Sequence, residues 1–224
     1  MVIPDRQVSP GIVLILADNQ ICGTWLLIKG KSCMIVEIPP AGLNQKGVNP
    51  AELVLKYLQE HQLRPIGLTL THHHWDHLDG LKDYRAKLQE YMPFPWICHE
   101  SIIRAKPSVR TYFNVIFQEE TYELLVENEP LFLIHAPKHS ESDVLIIFRG
   151  AMITGDWWLG DGDPNPNKIP PQISVESINR VMEFLKTKSY WVHSLFSVHG
   201  NDFRYQQDTE AILRITREYH QRKV

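Results

Sequence analysis

The stretch THHHWDHLDG (residues 71–80) places four histidines and two aspartates between an apolar and an amphipathic segment. The apolar segment IGLTL (66–70) predicts a buried β-strand, and GLKDYRAKLQEY (80–91) predicts a helix with one buried face. The cluster therefore lies in a strand-to-helix loop, where a rigid scaffold can direct several side chains towards one point. Histidine and aspartate in such a loop predict a metal site and disfavour a merely solvated polar loop.

The spacing within this stretch is H-x-H-x-D-H, and the residues that form it are His72, His74, Asp76 and His77. Imidazole nitrogen and carboxylate oxygen suit a borderline divalent ion such as zinc. Because alternate residues of an extended segment share a side, the first three are expected to converge, whereas His73 points away. His77 follows Asp76 directly and faces another direction. The motif therefore offers ligands to two neighbouring positions and favours a two-metal centre.

Three more candidate ligands follow predicted strands later in the chain. His139 comes after LFLIHAPK, Asp156 after AMITG, and His199 after LFSV. The point where a buried strand runs into a loop is a position from which a side chain can reach a shared site. These residues therefore extend the candidate metal site beyond the first stretch.

Length and composition indicate a single domain spanning residues 1–224. The 224 residues are 43% hydrophobic and 22% charged, and the formal charge is −3. This balance supplies no broad basic field, so we expect a small-molecule substrate and neither nucleic acid nor a membrane as partner. No apolar run reaches the roughly 18 residues that span a bilayer, and residues 1–10 do not resemble an export signal. We expect a cytoplasmic protein of undetermined oligomeric state.

The three cysteines are expected to be buried, reduced thiols. Cys22, Cys33 and Cys98 are odd in number, widely spaced and without a CxxC pair. This pattern argues against both a disulfide framework and a structural zinc knuckle.

Apolar runs and helical periodicity predict sheet packed on sheet with helices outside. The predicted strands are 11–17, 24–30, 32–38, 66–70, 94–99, 131–136, 143–150, 151–155 and part of 190–200. The predicted helices are 49–63, with Asn49 as N-cap, 80–91, a turn at 100–105, a helix from Ser174 to about Lys188, and one from about Asp208. Residues 106–130 carry no firm prediction.

H-x-H-x-D-H, followed by His139, the Asp156 of TGD and the His199 of HG, resembles the metallo-β-lactamase fold superfamily. The resemblance spans most of the chain and implies an α/β fold, a four-layer αββα sandwich with metals at one edge between the sheets. It also implies a ligand set. The first metal would be held by His72, His74 and His139, the second by Asp76, His77 and His199, and both by a bridging Asp156.

Two blocks depart from the pattern of this superfamily. PKHSESD (137–143) stands where many relatives read P-G-H-T-P-G-S, so Lys138 lies beside a candidate ligand and is expected either to meet an anionic substrate group or to be exposed. VEIPPAG (36–42) stands where relatives often have Ile-Asp-x-Gly, which leaves open whether Glu37 replaces that aspartate. An aspartate at 156, rather than a cysteine, resembles the glyoxalase II (hydroxyacylglutathione hydrolase), lactonase and phosphodiesterase branches and argues against penicillin hydrolysis.

The favoured function is a dinuclear metallohydrolase that uses a metal-bridging hydroxide on a small ester, thioester or lactone. Asp76 is the candidate catalytic residue, because a carboxylate oxygen not used in ligation could orient the water or accept its proton. The cofactors would be two divalent ions, zinc first, with iron or manganese also compatible. The alternatives are a mononuclear iron persulfide dioxygenase and a metal-binding relative without catalysis.

Tryptophans flank the candidate ligands on two segments. Trp75 is expected to pack the loop. Trp157 and Trp158 directly follow Asp156, and they could either wall an apolar substrate pocket or divide between core and rim.

Overall fold

A five-stranded sheet forms the first half of the fold. The computed structural model describes residues 6–15, 22–43, 47–158, 169–197 and 203–224. The strands of this sheet are Arg6–Ser9 (β1), Ile12–Ile15 (β2), Thr24–Lys29 (β3), Ser32–Val36 (β4) and Arg64–Thr69 (β5). They follow one another in that order across the sheet. β4 and β5 are parallel and the other neighbours antiparallel.

The second half contains a small parallel pair and a six-stranded sheet. The parallel pair is Ile97–His99 (β6) and Val115–Phe117 (β7). The larger sheet comprises Thr121–Val126 (β8), Glu129–His135 (β9), Val144–Phe148 (β10), Ala151–Gly155 (β11), Ser194–Ser197 (β12) and Phe203–Tyr205 (β13). Its order is β13-β12-β11-β10-β9-β8, and only β11 and β12 among these pairs are parallel.

Helices connect the strands and cover the outer faces of the two sheets. The α-helices are Pro50–His61 (α1), Trp75–Leu78 (α2), Leu81–Lys87 (α3), Glu100–Ala105 (α4), Pro171–Thr187 (α5) and Thr209–Gln221 (α6). Short 3-10 helices lie at Ala41–Leu43, Gln89–Tyr91 and Pro107–Tyr112. None of the helices in the described ranges combines the length and the apolar character needed to cross a bilayer.

The strands direct alternate side chains to opposite faces, so the core consists of three hydrophobic clusters that lie between successive layers of the fold. In β3, Trp25 and Leu27 pack towards the second sheet, whereas Leu26 packs towards α1 and α3. In β10, Ile146 faces the first sheet and Leu145 faces α5 and α6. Because strands covered on both faces need apolar side chains in both directions, they read as continuous hydrophobic runs. The layers are therefore helix, sheet, sheet and helix, which confirms the predicted αββα sandwich.

Local signals placed α1 correctly. The Asn49 side chain accepts a hydrogen bond from the Ala51 backbone N–H at 3.0 Å, and Pro50 occupies the first helical position. This cap satisfies a donor that the first turn leaves without a helical partner. The helix buries Val54 and Leu58 against the first sheet, as its periodicity predicted.

The predicted start of α5 was wrong. Ser174 is buried within the helix, which begins at Pro171. Proline lacks the backbone N–H that a first helical turn would leave without a partner, and its φ angle already suits that turn. The helix therefore starts at Pro171, before the serine. The strand predicted at 32–38 is also shorter, because Glu37 takes a left-handed φ of 72° after β4 ends.

All three cysteines are buried and none forms a disulfide, as predicted. The region 106–130, which carried no firm prediction, contains a 3-10 helix, β7, all of β8 and the start of β9.

Candidate metal centre

The ligand loop leaves β5 and enters α2 within five residues. Leu70 to His74 form an irregular segment after Thr69, and His74 takes the N-cap position of α2 with an extended backbone (φ −65°, ψ 152°). Gly155, at the end of β11, comes so close to this loop that a Cβ on it would lie 2.4 Å from Oγ1 of Thr71. The close approach brings Asp156 beside the loop histidines.

Four of the predicted residues form a compact first group. Nδ1 of His74 lies 3.0 Å from Nε2 of His72 and 3.1 Å from Nε2 of His139. Oδ2 of Asp156 lies 3.4 Å from Nε2 of His139 and 4.0 Å from Nε2 of His72. One ligand atom from each residue falls within 4.8 Å of all the others.

The chemistry of this group fits a divalent metal. Nitrogens bound to one tetrahedral zinc at 2.0–2.1 Å stand about 3.3 Å apart, close to the spacings found here. Burial lowers the pKa of His139 to about 4 and the pKa of His72 well below its usual value. Both imidazoles are therefore neutral at pH 7, which is the form that binds a metal.

A second group lies on the other side of Asp156. Nε2 of His77 is 3.5 Å from Oδ2 of Asp76 and 3.6 Å from Oδ1 of Asp156. Asp156 thus directs one carboxylate oxygen to each group. His199, the remaining residue implied by the resemblance, lies outside the described residues.

The expectation from strand-like alternation was only partly right. His72 and His74 converge as predicted, but Asp76 approaches His77 instead of completing their set. The reason is that α2 begins at Trp75, so a helical backbone replaces the extended one before Asp76 is reached.

Glu37 holds the ligand loop at two points, which answers the question that its sequence block left open. The carboxylate is fully buried, and its Oε1 accepts hydrogen bonds from the backbone N–H of Thr71, at 3.1 Å, and from the Thr71 hydroxyl. Oε2 lies 3.4 Å from Nδ1 of His77. Glu37 therefore occupies the supporting role that was in doubt, and its contacts span both ends of the histidine motif.

Cys22 completes the surroundings of His77 in a way that the sequence did not signal. Its Sγ lies 3.7 Å from Nδ1 of His77, and Cys22, Glu37 and His77 form a second buried cluster of groups capable of binding metal. Burial raises the pKa of the Cys22 thiol to about 12, so the sulfur is uncharged at neutral pH. We interpret this cluster as a support for the imidazole, because Cys22 and Glu37 lie at its Nδ1, whereas the candidate ligands Asp76 and Asp156 lie at its Nε2.

Asp143 is a site residue that sequence reasoning missed. Its Oδ2 accepts from the backbone N–H groups of Lys138 (2.9 Å), His139 (2.5 Å) and Ser140 (2.9 Å), and Oδ1 accepts from the Ser140 hydroxyl at 2.6 Å. Burial raises the pKa of Asp143 to about 6, although these hydrogen bonds act in the opposite direction. The carboxylate fixes the turn that presents His139. The available signal was its place at the end of the PKHSESD block.

His73 is held away from both groups, as predicted. Its ring Nδ1 lies 2.7 Å from Oγ of Ser142, and its backbone N–H donates to the same oxygen at 3.1 Å. Trp75 does not pack the loop, since 56% of it is exposed. The one-turn α2 helix directs it outward, because the ligand positions on either side face inward.

The expectation that Lys138 is exposed was wrong, because only 1% of the residue is exposed. Contact with an anionic substrate group stays a prediction. The lysine ammonium donates to the Trp157 carbonyl and lies 5.0 Å from the centre of that indole. Trp157 and Trp158 are both buried and pack with the residues under α5 and α6. Neither tryptophan therefore walls a pocket or stands on a rim in the described structure.

Comparison with known proteins agrees with the sequence motifs. No protein-family model matches the chain. It is similar to "Hydroxyacylglutathione hydrolase" of Hydrogenovibrio crunogenus (strain DSM 25203 / XCL-2), with 26% identity over 133 residues, 58% of this chain and 46% of that protein. The protein of the same name from Glaesserella parasuis serovar 5 (strain SH0165) is 31% identical over 120 residues, 53% of this chain and 40% of that protein. The chain thus spans about half the length, or less, of these relatives.

Comparison with solved structures gives the fold. The metallo-β-lactamase from Pontibacter korlensis superposes with a TM-score of 0.72 at 12% identity, over 97% of this chain and 98% of that one. The chain therefore has the metallo-β-lactamase fold. Its sequence relatives are named hydroxyacylglutathione hydrolases (glyoxalase II), which agrees with the resemblance that the motifs predicted.

Proposed function

We propose that the chain is a dinuclear metal-dependent hydrolase acting on a small ester, thioester or lactone. The observation that carries this proposal is the position of Asp156 between the two groups. Its Oδ2 lies 3.4 Å from Nε2 of His139, and its Oδ1 lies 3.6 Å from Nε2 of His77. A carboxylate with one oxygen directed to each group is suited to bridge two cations.

The proposed ligand set follows this geometry and the family resemblance. The first ion is assigned to His72, His74 and His139, the second to Asp76, His77 and His199, and Asp156 is assigned to both. The place of His199 rests on the resemblance alone. Zinc is the first choice, while iron and manganese also suit imidazole and carboxylate ligands.

Bound divalent ions would lower the pKa of a water from 15.7 towards about 7 and polarise a substrate carbonyl. The protein supplies the arrangement around them. Asp76, which lies at the edge of the second group with 14% of its side chain exposed, can orient a water or accept its proton. Glu37 and Asp143 keep the two ligand-bearing turns in place.

The substrate class is proposed from the names of the relatives and the charge of the chain. A hydroxyacyl thioester is the first compound to test, because the sequence relatives are named hydroxyacylglutathione hydrolases. The net charge of −3 gives no general attraction for polyanions. A cytoplasmic location, a single domain over residues 1–224 and the absence of nucleic-acid or membrane partners stay predictions.

The oxygenase alternative predicts a different use of the same residues. A mononuclear iron site would need only part of the ligand set. Nε2 of His77 lies close to both Oδ2 of Asp76 and Oδ1 of Asp156, which supports the hydrolase, because a single ion in the first group would leave these atoms without a role in binding.

Elemental analysis of the full chain, purified without added metal and then loaded, tests the proposal together with a substrate panel. We expect two divalent ions per chain and turnover of at least one ester, thioester or lactone without oxygen uptake. One iron per chain with oxygen uptake on a persulfide would support the oxygenase instead. Full metal loading with no turnover across the panel would favour the non-catalytic alternative.

A further inference from the structure

Lys138 is a buried cation inside the candidate site. Only 1% of the residue is exposed, although lysine is among the side chains least often buried. Removing an ammonium from water is unfavourable unless the protein replaces its hydration with specific partners. The partners of Lys138 therefore indicate what this position does.

The side chain of Lys138 reaches across to the segment that carries Asp156. Its Nζ donates a hydrogen bond to the carbonyl of Trp157 and lies 5.0 Å from the centre of the Trp157 ring. An ammonium at this distance from an indole gains a cation–π attraction, which strengthens in a desolvated position. One residue thus provides both a carbonyl and an aromatic partner.

The acceptor segment is itself held in place. The Trp157 backbone N–H donates to the Thr154 carbonyl at 3.0 Å, which closes the turn after β11. The Thr154 hydroxyl lies 3.0 Å from the carbonyl of Trp158. The Trp157 ring is buried in the cluster beneath α5 and α6. Lys138 therefore binds to a backbone carbonyl whose position is fixed by these other contacts.

The backbone of Lys138 is held by a different segment. Its N–H donates to Oδ2 of Asp143 at 2.9 Å, beside the N–H of His139 at 2.5 Å. Asp143 thus orders the turn from within, whereas the side chain of Lys138 ties that turn to the end of β11. The two interactions act in different directions and do not substitute for each other.

We propose that Lys138 is a positioning residue that sets the separation of His139 from Asp156. Lys138 precedes His139, and its acceptor Trp157 follows Asp156, so the contact joins the two segments immediately beside the facing side chains. Nε2 of His139 and Oδ2 of Asp156 lie 3.4 Å apart. This proposal rests on the proposed function, because the separation matters only if these atoms share an ion. Many relatives have P-G-H-T-P-G-S in this block, with glycine at the position of Lys138. Glycine has no side chain to reach Trp157, so the contact is a feature of this chain.

Zinc titration of the metal-free full chain against a chromophoric chelator tests this role. K138M replaces the ammonium with an apolar side chain of similar length. We expect its zinc affinity to fall by about 10- to 100-fold, the usual effect of losing a residue that orients a metal ligand. Urea unfolding of the metal-free protein measures separately the stability lost when the Trp157 carbonyl loses this donor. We expect the loss of zinc affinity to exceed what this change in stability accounts for.

K188M is the matched control. Lys188 also pairs with an oxygen, Oε2 of Glu123 at 2.7 Å, and lies 5.4 Å from the ring of Phe132, and within the described residues these contacts lie outside the candidate site. Its zinc affinity should equal that of the wild type. Equal affinities for K138M and K188M would overturn the proposal, as would a loss in K138M that only tracks reduced stability of the metal-free protein.

Two further variants cover a failure of K138M to fold. K138R keeps the charge and the hydrogen-bond donors. K138Q removes the charge and places its nitrogen one atom closer to the backbone than Nζ of lysine. We expect affinity to decrease from wild type to K138R to K138Q, and equal affinities for the two variants would overturn the proposal. Because the titration uses no substrate, a wild type that binds zinc but hydrolyses nothing would contradict the proposed function alone. A wild type that binds none of zinc, iron and manganese would overturn both.

Discussion

Oε2 of Glu37 lies 3.4 Å from Nδ1 of His77, while Nε2 of the same ring lies 3.6 Å from Oδ1 of Asp156. A carboxylate beside Nδ1 favours the tautomer that carries its proton there. Nε2 is then the nitrogen that could bind an ion at the second candidate position. Although burial lowers the pKa of His77, Cys22, Glu37 and Asp156 raise it well above its usual value, so metal binding there would release a proton. Glu37 therefore favours one protonation pattern of the His77 ring, and it does so from the Nδ1 side, opposite the side that faces Asp156.

Replacing Glu37 with Gln should reverse this preference. The amide can still accept from Thr71 through its oxygen, but it then presents N–H groups to Nδ1 of His77 and favours the proton on Nε2. We expect metal content to fall towards one ion per chain and turnover to fall by about 10- to 100-fold. Elemental analysis and kinetics under the same loading conditions measure both effects.

Glu127→Gln is the matched control for this variant. Glu127 is also a glutamate with a left-handed backbone, at φ 56°, and its Oε1 accepts the N–H of Lys31 at 3.1 Å on an exposed turn. Its metal content and turnover should remain those of the wild type. A Glu37→Gln protein that behaves like Glu127→Gln would show that Glu37 does not orient His77.

Replacing Asp156 with Ala should remove the link between the two groups. Both carboxylate oxygens are lost, so neither group keeps its full set of donors. We expect fewer than two ions per chain and turnover at least about 100-fold lower. Elemental analysis alongside the substrate panel measures both quantities.

Asp79→Asn provides the comparison for Asp156→Ala. Asp79 is exposed in the same ligand stretch and pairs with Lys106 instead of with a candidate ligand. It should keep two ions and full turnover. Two ions per chain and unchanged turnover in Asp156→Ala would contradict a bridging role.

The layers of the fold could be predicted because they depend on local patterns. Strands covered on both faces read as apolar runs, and the Asn49–Pro50 pair marks the start of α1. The candidate ligands could be predicted because they follow strand ends, where His139 and Asp156 stand. The segment 106–130 could not, since its short 3-10 helix and strands carry no extended periodicity.

The supports of the site could not be predicted, because they depend on contacts between distant segments. The burial of Lys138 follows from a Trp157 carbonyl 19 residues away, whereas sequence rules expect an exposed lysine. The contact of Glu37 with His77 spans 40 residues of sequence, and that of Cys22 spans 55. Alternation in an extended loop wrongly predicted that Asp76 points to the same side as His72 and His74, because the helical turn of α2 begins at Trp75.

His73 should tolerate replacement far better than its neighbour His74. His73→Ala removes the contact between the ring and Ser142, but it leaves both ligand groups intact. We expect a loss of about 1 kcal/mol in the free energy of unfolding and an unchanged metal content. His74→Ala should instead lose metal, because Nδ1 of His74 is central to the first group. Equal metal loss in the two variants would contradict the assignment of His73 to a position outside both ligand groups.

The stacked pair of His99 and His135 should make the metal-free protein sensitive to mild acid. Their ring centroids are 3.7 Å apart with planes inclined by 19°. The pKa of each is lowered to about 4, chiefly by burial and, for His135, also by the neighbouring His99. Arg104 and Arg180 act in the same direction on both rings, while the carboxylate of Glu119 opposes them at His99.

The sign of the effect follows from these pKa values. In the unfolded chain the histidines take up protons near pH 6.5, whereas in the folded protein they resist until about pH 4. The stabilisation is therefore complete above pH 6.5 and is lost as the pH falls through this window. Going from pH 7 to pH 5 should cost about 2 kcal/mol for each histidine. Urea unfolding in EDTA at pH 7, 6 and 5 measures this loss. His135→Gln should reduce it by about the contribution of one histidine, because the buried His72 and His139 also have lowered pKa values and still contribute. A variant with the same pH dependence as the wild type would show that the stacked pair does not cause it.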